Sequence, residues 1–156
     1  MQHKVSFRLG DCSKLDRHEY YDAIYSRDVF LHIEEKHKLF SVLRAALKQN
    51  GRLLFTDYCC GSKPWRHDFE DYVAQRQYHL LTTEEYISVL TEAGFRSVTG
   101  EDITGRFIEI LEKELERISR LDLDRPTQEK LGAAWRQKID RAETGDQRWG
   151  LFSAVK

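Results

Sequence analysis

Residues 21–60 read YDAIYSRDVFLHIEEKHKLFSVLRAALKQNGRLLFTDYCC. Two short apolar runs flank one long amphipathic segment. Tyr20–Asp28 (YYDAIYSRD) reads as a strand. Glu34–Gly51 sets Leu39, Val42, Leu43, Ala46 and Leu47 at helical spacing and ends on the stop signal Asn50-Gly51. Arg52–Cys60 (RLLFTDYCC) is apolar almost throughout, the pattern of a strand buried on both faces. Strand, helix and strand in this order predict a doubly wound α/β sheet.

The flanking sequence extends the same alternation. Lys4–Asp11 (KVSFRLGD) alternates at period two and predicts an earlier strand. After the central unit come a helical stretch at His67–Tyr78 and a helix at Thr82–Phe95, the latter with a Thr82-to-Glu85 capping box and a stop at Gly94. Arg96–Ile103 is a strand. Arg106–Leu121 is a strongly amphipathic helix with Phe107, Leu111, Leu115 and Ile118 on one face. Glu129–Ala142 is helical, and Arg148–Lys156 is a closing strand.

Composition narrows the function classes. The chain has 156 residues, a net charge of −1, 33% charged and 40% apolar residues, which describes one soluble globular domain. The absence of a basic excess argues against nucleic-acid and anionic-membrane partners. No apolar run approaches the roughly 18 residues of a spanning helix, so membrane insertion is not expected. The N-terminus lacks a signal-peptide core, and Cys12, Cys59 and Cys60 make an odd count, so reduced thiols and a cytoplasmic location are expected. The adjacent pair Cys59-Cys60 suits neither a CxxC redox site nor zinc. Walker A, GxSxG and GxGxxG signatures are absent.

Ligands of doubly wound sheets sit beyond the carboxyl ends of the strands. Asp11, Asp28 and Asp57-Tyr58 each fall at such an end. Acidic residues after strands also cap helices, and that reading stays open for each one. His32 stands four residues after Asp28, and a helical turn there would point both side chains the same way. A carboxylate beside an imidazole raises its basicity, which suits a general base; a capping Asp with a partly buried His is the alternative. The spacing of His32 and His37 is five, not four, so HIEEKH is a poor zinc motif. In YVAQRQY, Tyr72 and Arg76 share a helix face and Tyr78 follows just past it. Arg and Tyr donors together suit a phosphate; Tyr packing with a snorkelling Arg is the alternative. Lys138 adds a candidate point charge.

The segments YSRDVFLHI, LLFTDYC, DYVAQRQYHLLTTEEY, LTEAGF and QRWGLF resemble the phosphoethanolamine N-methyltransferases of plants, nematodes and Plasmodium, along nearly the whole chain. The resemblance implies S-adenosylmethionine-dependent methylation of phosphoethanolamine and its methylated intermediates toward phosphocholine. It implies that Asp11 binds the adenine amino group and that Cys12 offers its backbone. It implies that Asp28 faces the methyl donor and the acceptor amine, with His32 as general base. Tyr58, Tyr72, Arg76, Tyr78 and Lys138 match the phosphobase pocket. Arg27 belongs to the same motif.

Parts of the family pattern have no counterpart in this sequence: a first strand with a glycine-rich loop, a second strand with a ribose-binding acid, and a lid Tyr that pairs with the catalytic His. The expectation is a single incomplete methyltransferase domain over residues 1–156, a partial Rossmann-like class I fold from the third strand onward. Its first strand would lack its neighbour, and a missing N-terminal half or a sister domain would be its partner. Donor binding by the chain alone is then expected to be weak. A methyltransferase of other small-molecule specificity and a non-catalytic interaction fragment remain the alternative functions.

Overall fold

The computed structural model describes residues 4–156. Four strands form one mixed sheet in the order β1-β2-β4-β3. These are β1 (Tyr21–Arg27), β2 (Leu47–Cys60), β3 (Arg96–Asp102) and β4 (Gln147–Val155). β1 and β2 are parallel, joined by α1 (Lys36–Ala46); β4 runs antiparallel to both β2 and β3. The remaining helices are α2 (His67–Arg76), α3 (Thr83–Glu92), α4 (Thr104–Ser119) and α5 (Arg125–Glu143).

Alternation along β2 assigns its two faces. Leu53, Phe55 and Cys59 point into a core with Leu39, Phe40 and Leu43 of α1 and Tyr86 and Leu90 of α3. Phe55 stacks on Phe152 of β4, with centroids 4.7 Å apart. Tyr58 points to the opposite face, where Phe107 and Leu111 of α4, Ala142 of α5 and Trp149 of β4 make a second core. The sheet is thus covered by α1 and α3 on one side and by α4 and α5 on the other. Full burial of a Leu or Phe side chain is worth about 1.5–3 kcal/mol, so these two clusters hold the layers together.

The capping box of α3 is complete: Glu85 N–H donates to Thr82 Oγ1 at 3.2 Å, and Thr82 N–H donates to Glu85 Oε2 at 2.8 Å. Gly94 follows at φ +88°, the left-handed conformation that ends a helix.

Two expectations are corrected. Lys4–Asp11 forms no strand; Val5, Phe7 and Leu9 are 67%, 97% and 100% exposed. Its alternation is genuine, but a strand exists only when paired, and no neighbour is available to it among the described residues. The sheet therefore begins at β1, one strand later than expected. The central helix also ends at Ala46 rather than at Asn50-Gly51. Lys48–Gly51 instead bulges out of β2, so that Tyr21 pairs with Leu47 and Ala23 with Arg52. Asn50 takes φ +60° in that bulge, and a Cβ on Gly51 would lie 2.8 Å from the Lys48 carbonyl.

Candidate active site

Asp28 follows the carboxyl end of β1 in a left-handed conformation, φ +52°. Asp tolerates this better than most residues, and the strain marks a place the surroundings must hold. The Asp28 N–H donates to the Thr56 carbonyl at 2.8 Å. Its Oδ1 accepts from Thr56 Oγ1 at 3.0 Å and from Trp149 Nε1 at 2.8 Å. Side chains from two strands, β2 and β4, thereby grip a carboxylate that hangs from the end of β1. Its Oδ2 lies 3.8 Å from the exposed Arg27 Nε, a loose contact.

His32 lies on a 3-10 turn, Phe30–His32, that starts only after Val29. The turn in φ at Asp28 breaks any continuous helix between the two, so the four-residue spacing does not pair them. The expected direct contact of the Asp28 carboxylate with the His32 ring is absent; the imidazole instead packs edge-on against Tyr78, with centroids 5.1 Å apart.

The turn is held from below. Leu31 carbonyl accepts from His79 N–H at 2.8 Å, and the buried Lys36 Nζ donates to the carbonyls of Ile33 and of His79, the latter at 2.8 Å. These bonds tie the His32 turn to the segment carrying Tyr78. Beneath them Asp57 is wholly buried and accepts from Tyr86 Oη. Burial pushes the Asp57 carboxyl up to about 7, although Tyr86 and Lys36 pull it down. Burial likewise brings the Lys36 ammonium down to about 8.

Beside this turn a cavity of ≈ 350 Å³ is lined by Tyr58, Tyr72, Gln75, Arg76, Tyr78, Trp135, Gln137, Lys138 and Arg141. Tyr58 comes from β2, Tyr72 and Arg76 from α2, Tyr78 from the segment after it, and Lys138 from α5. Tyr72 and Tyr78 meet edge-on at 5.7 Å. Lys138 Nζ donates to Tyr58 Oη at 3.3 Å. Burial, then the neighbouring Arg141, lowers the Lys138 pKa. Burial, then Asp28, raises that of Tyr58, and Tyr78 is pushed up to about 12 by burial and by Tyr72. These phenols therefore stay protonated and can donate at neutral pH.

The five residues matched to a phosphobase pocket thus line one cavity, and Trp149 pairs with Tyr58 across β2 and β4 while reaching Asp28. Asp11 and Cys12 are not brought to it. Asp11 ends no strand; it caps a 3-10 turn, Cys12–Lys14, through Ser13 N–H at 2.9 Å. Both residues line a separate depression of ≈ 500 Å³ with Arg8, Leu9 and Tyr21. Sequence reasoning passed over Trp149 and Arg141. Arg141 was legible in principle, since it lies three residues after Lys138 on the same helix face. The Trp149 bond to Asp28 depends on the order of strands and left no local signal.

The chain matches the methyltransferase domain family over residues 2–99. It is 36% identical over 159 residues to phosphoethanolamine N-methyltransferase 3 of Arabidopsis thaliana, covering 97% of this chain and 32% of that protein. It is 37% identical over 163 residues to the phosphoethanolamine N-methyltransferase of Plasmodium falciparum (isolate 3D7), covering 98% of this chain and 61% of that one. The fold superposes with a TM-score of 0.87 and 32% identity on phosphoethanolamine N-methyltransferase 2 of Haemonchus contortus, solved with phosphomonomethylethanolamine and S-adenosylhomocysteine, over 94% of this chain and 36% of that chain. The chain spans about a third of the length of the first curated relatives it matches.

Proposed function

The chain belongs to the methyltransferase domain family, and from that premise we propose that it forms the acceptor-binding part of an S-adenosylmethionine-dependent phosphobase N-methyltransferase. Phosphoethanolamine and its methylated intermediates are the proposed acceptors, and the cytoplasm the proposed location. The observation that carries the reading is the convergence of Tyr58, Tyr72, Arg76, Tyr78 and Lys138 on one cavity beside Asp28 and the His32 turn.

The chemistry follows from those groups. Arg76 and Lys138 offer charge to a phosphate, and the hydroxyls of Tyr58, Tyr72 and Tyr78 offer neutral donors. A phosphate held there places the ethanolamine nitrogen near the His32–Tyr78 contact and the Asp28 carboxylate. The amine of such an acceptor is protonated near neutral pH and must lose a proton before it can attack. Asp28, fixed by Thr56 and Trp149, attracts the ammonium; His32, on its clamped turn, takes the proton. Holding the nitrogen in one place is itself worth several kcal/mol of the barrier, up to roughly 7–11 in the best intramolecular comparisons.

The donor end fits in part. Hydrogen bonds from Ser13 hold the Asp11 carboxyl down at about 2, so it is an ionised acceptor, suited to an adenine amino group beside the Cys12 backbone. When bound, S-adenosylmethionine supplies an electrophilic methyl group. Contacts for its ribose and methionine parts are assigned to no residue of this chain, so a further segment or partner is part of the proposal.

Titration of the chain with phosphoethanolamine tests the reading. Binding should exceed that of ethanolamine, and Arg76→Ala should weaken it by about 1.5–3 kcal/mol, the range for a charged hydrogen bond. Equal affinity for ethanolamine and phosphoethanolamine would overturn it. A methyltransferase of other specificity is then the remaining reading.

A further inference from the structure

Arg141 is a buried cation without an acid. It is 8% exposed, yet it forms no ion pair among the described residues. Its neighbour Asp140 bonds Arg66 at 2.7 Å instead. Arg141 also borders an adjoining depression with Asp68, Asp71 and Asp140, but those carboxylates pair with Arg66 and His67. The guanidinium carbon lies 3.9 Å from the Tyr72 ring centroid, and Nε donates to Gln147 Oε1 at 3.2 Å. Gln147 is itself buried, and its Nε2 has no partner. The amide cannot flip without losing the bond to Arg141, so its orientation serves the guanidinium at the expense of its own donor.

The same cavity holds Arg76 and Lys138. Three cations surround it, and no acid of the described residues lines it. Arg76 is exposed and Lys138 half-buried, so Arg141 alone is a buried charge, and a buried charge is tolerated when a ligand balances it. Stacking and the Nε bond fix the guanidinium plane and leave its terminal nitrogens for planar, paired donation.

The geometry points to Arg141 as a further phosphate-binding residue, the most buried of the three, that makes the cavity selective for a phosphomonoester dianion over a phosphodiester monoanion. Gln147 is its positioning residue. This rests on the phosphobase reading above and deepens it. A headgroup still esterified to a lipid carries one charge too few and an extra substituent, so the site takes the free phosphobase.

The test is calorimetric titration of the chain at pH 7.5, where a monoester is largely dianionic, with phosphoethanolamine and with the diester glycerophosphoethanolamine. The unaltered chain should prefer the monoester. Arg141→Met should weaken monoester binding about 10- to 100-fold, the range expected for losing a charged hydrogen bond, with little change for the diester. Gln147→Leu keeps the charge and should narrow the same ratio, which mere loss of packing would not do. If Arg141→Met does not fold, Arg141→Lys decides: a monoester-to-diester preference lower than that of the unaltered chain supports the assignment. An unchanged ratio in Arg141→Lys or Gln147→Leu, or equal weakening of both ligands, overturns it. If the unaltered chain binds neither ligand, the phosphobase reading itself fails; if Arg76→Ala weakens binding and Arg141→Met does not, only the present inference fails.

Discussion

Trp149 Nε1 donates to Asp28 Oδ1 at 2.8 Å, across 121 positions of sequence. The bond passes over β2, where Thr56 makes the second bond to the same oxygen. It couples the second core, in which Trp149 packs against Phe107 at 5.3 Å, to the carboxylate proposed to meet the acceptor amine. Trp149→Phe keeps most of the packing and removes the donor. It should destabilise the chain by about 1–3 kcal/mol in urea unfolding, the cost of leaving a partly buried charged acceptor short of a partner.

Asp57 makes stability depend on pH with a sign opposite to that of most acids. Its carboxyl stands at about 7 in the folded chain against an ordinary 3.8. The folded state therefore favours the protonated form, and this contribution is fully present below about 3.8 and is lost as pH rises through about 7. Asp57→Asn should remove that decline. The difference in unfolding free energy between the two chains, measured from pH 4 to 8, should shift in favour of the Asn form as pH rises. A pH-independent difference would mean that Lys36 and Tyr86 keep Asp57 ionised.

The Thr82 cap sets the start of α3, which carries Tyr86 onto Asp57. Thr82→Ala should cost about 1 kcal/mol, within the 0.5–2 range for lost caps. Thr82→Ser should cost much less. Chemical denaturation with unchanged m-values would check both.

Thiol chemistry should separate the three cysteines. Cys59 and Cys60 are buried and their thiols are pushed up, Cys60 to about 11, chiefly by burial. Cys12 is half-buried at the 3-10 turn, and burial and Asp11 raise its thiol as well. Alkylation of the native chain at pH 7.5, followed by mass spectrometry, should find Cys12 modified first and the adjacent pair only after unfolding.

Helices and strands with a complete local signature were legible in the sequence. The Thr82–Glu85 box and Gly94 bound α3 closely, and the apolar run Arg52–Cys60 marked β2. Lys4–Asp11 misled because alternation reports which face a strand would bury, not whether a neighbour exists to pair with it. The cavity residues were legible chiefly through the resemblance, since Tyr58, Tyr72 and Lys138 lie far apart along the chain. The pairing of Asp28 with His32 was misread because a left-handed residue at position 28 resets the direction of the chain. Trp149 and Gln147 act through β4, whose place between β2 and β3 is a property of topology.

That placement has a consequence for biosynthesis. β4 is the last element in sequence order, yet it sits inside the sheet. While a ribosome is still making it, β2 and β3 have no common neighbour, Asp28 lacks Trp149 and Arg141 lacks Gln147. The parallel β1–β2 pair and α1 can assemble early, but the two strand edges that β4 will join stay open until its nine residues emerge. Nascent chains stalled before Gln147 should therefore be protease-sensitive and prone to associate, and emergence of β4 should join β2 to β3 and complete the pocket in one step.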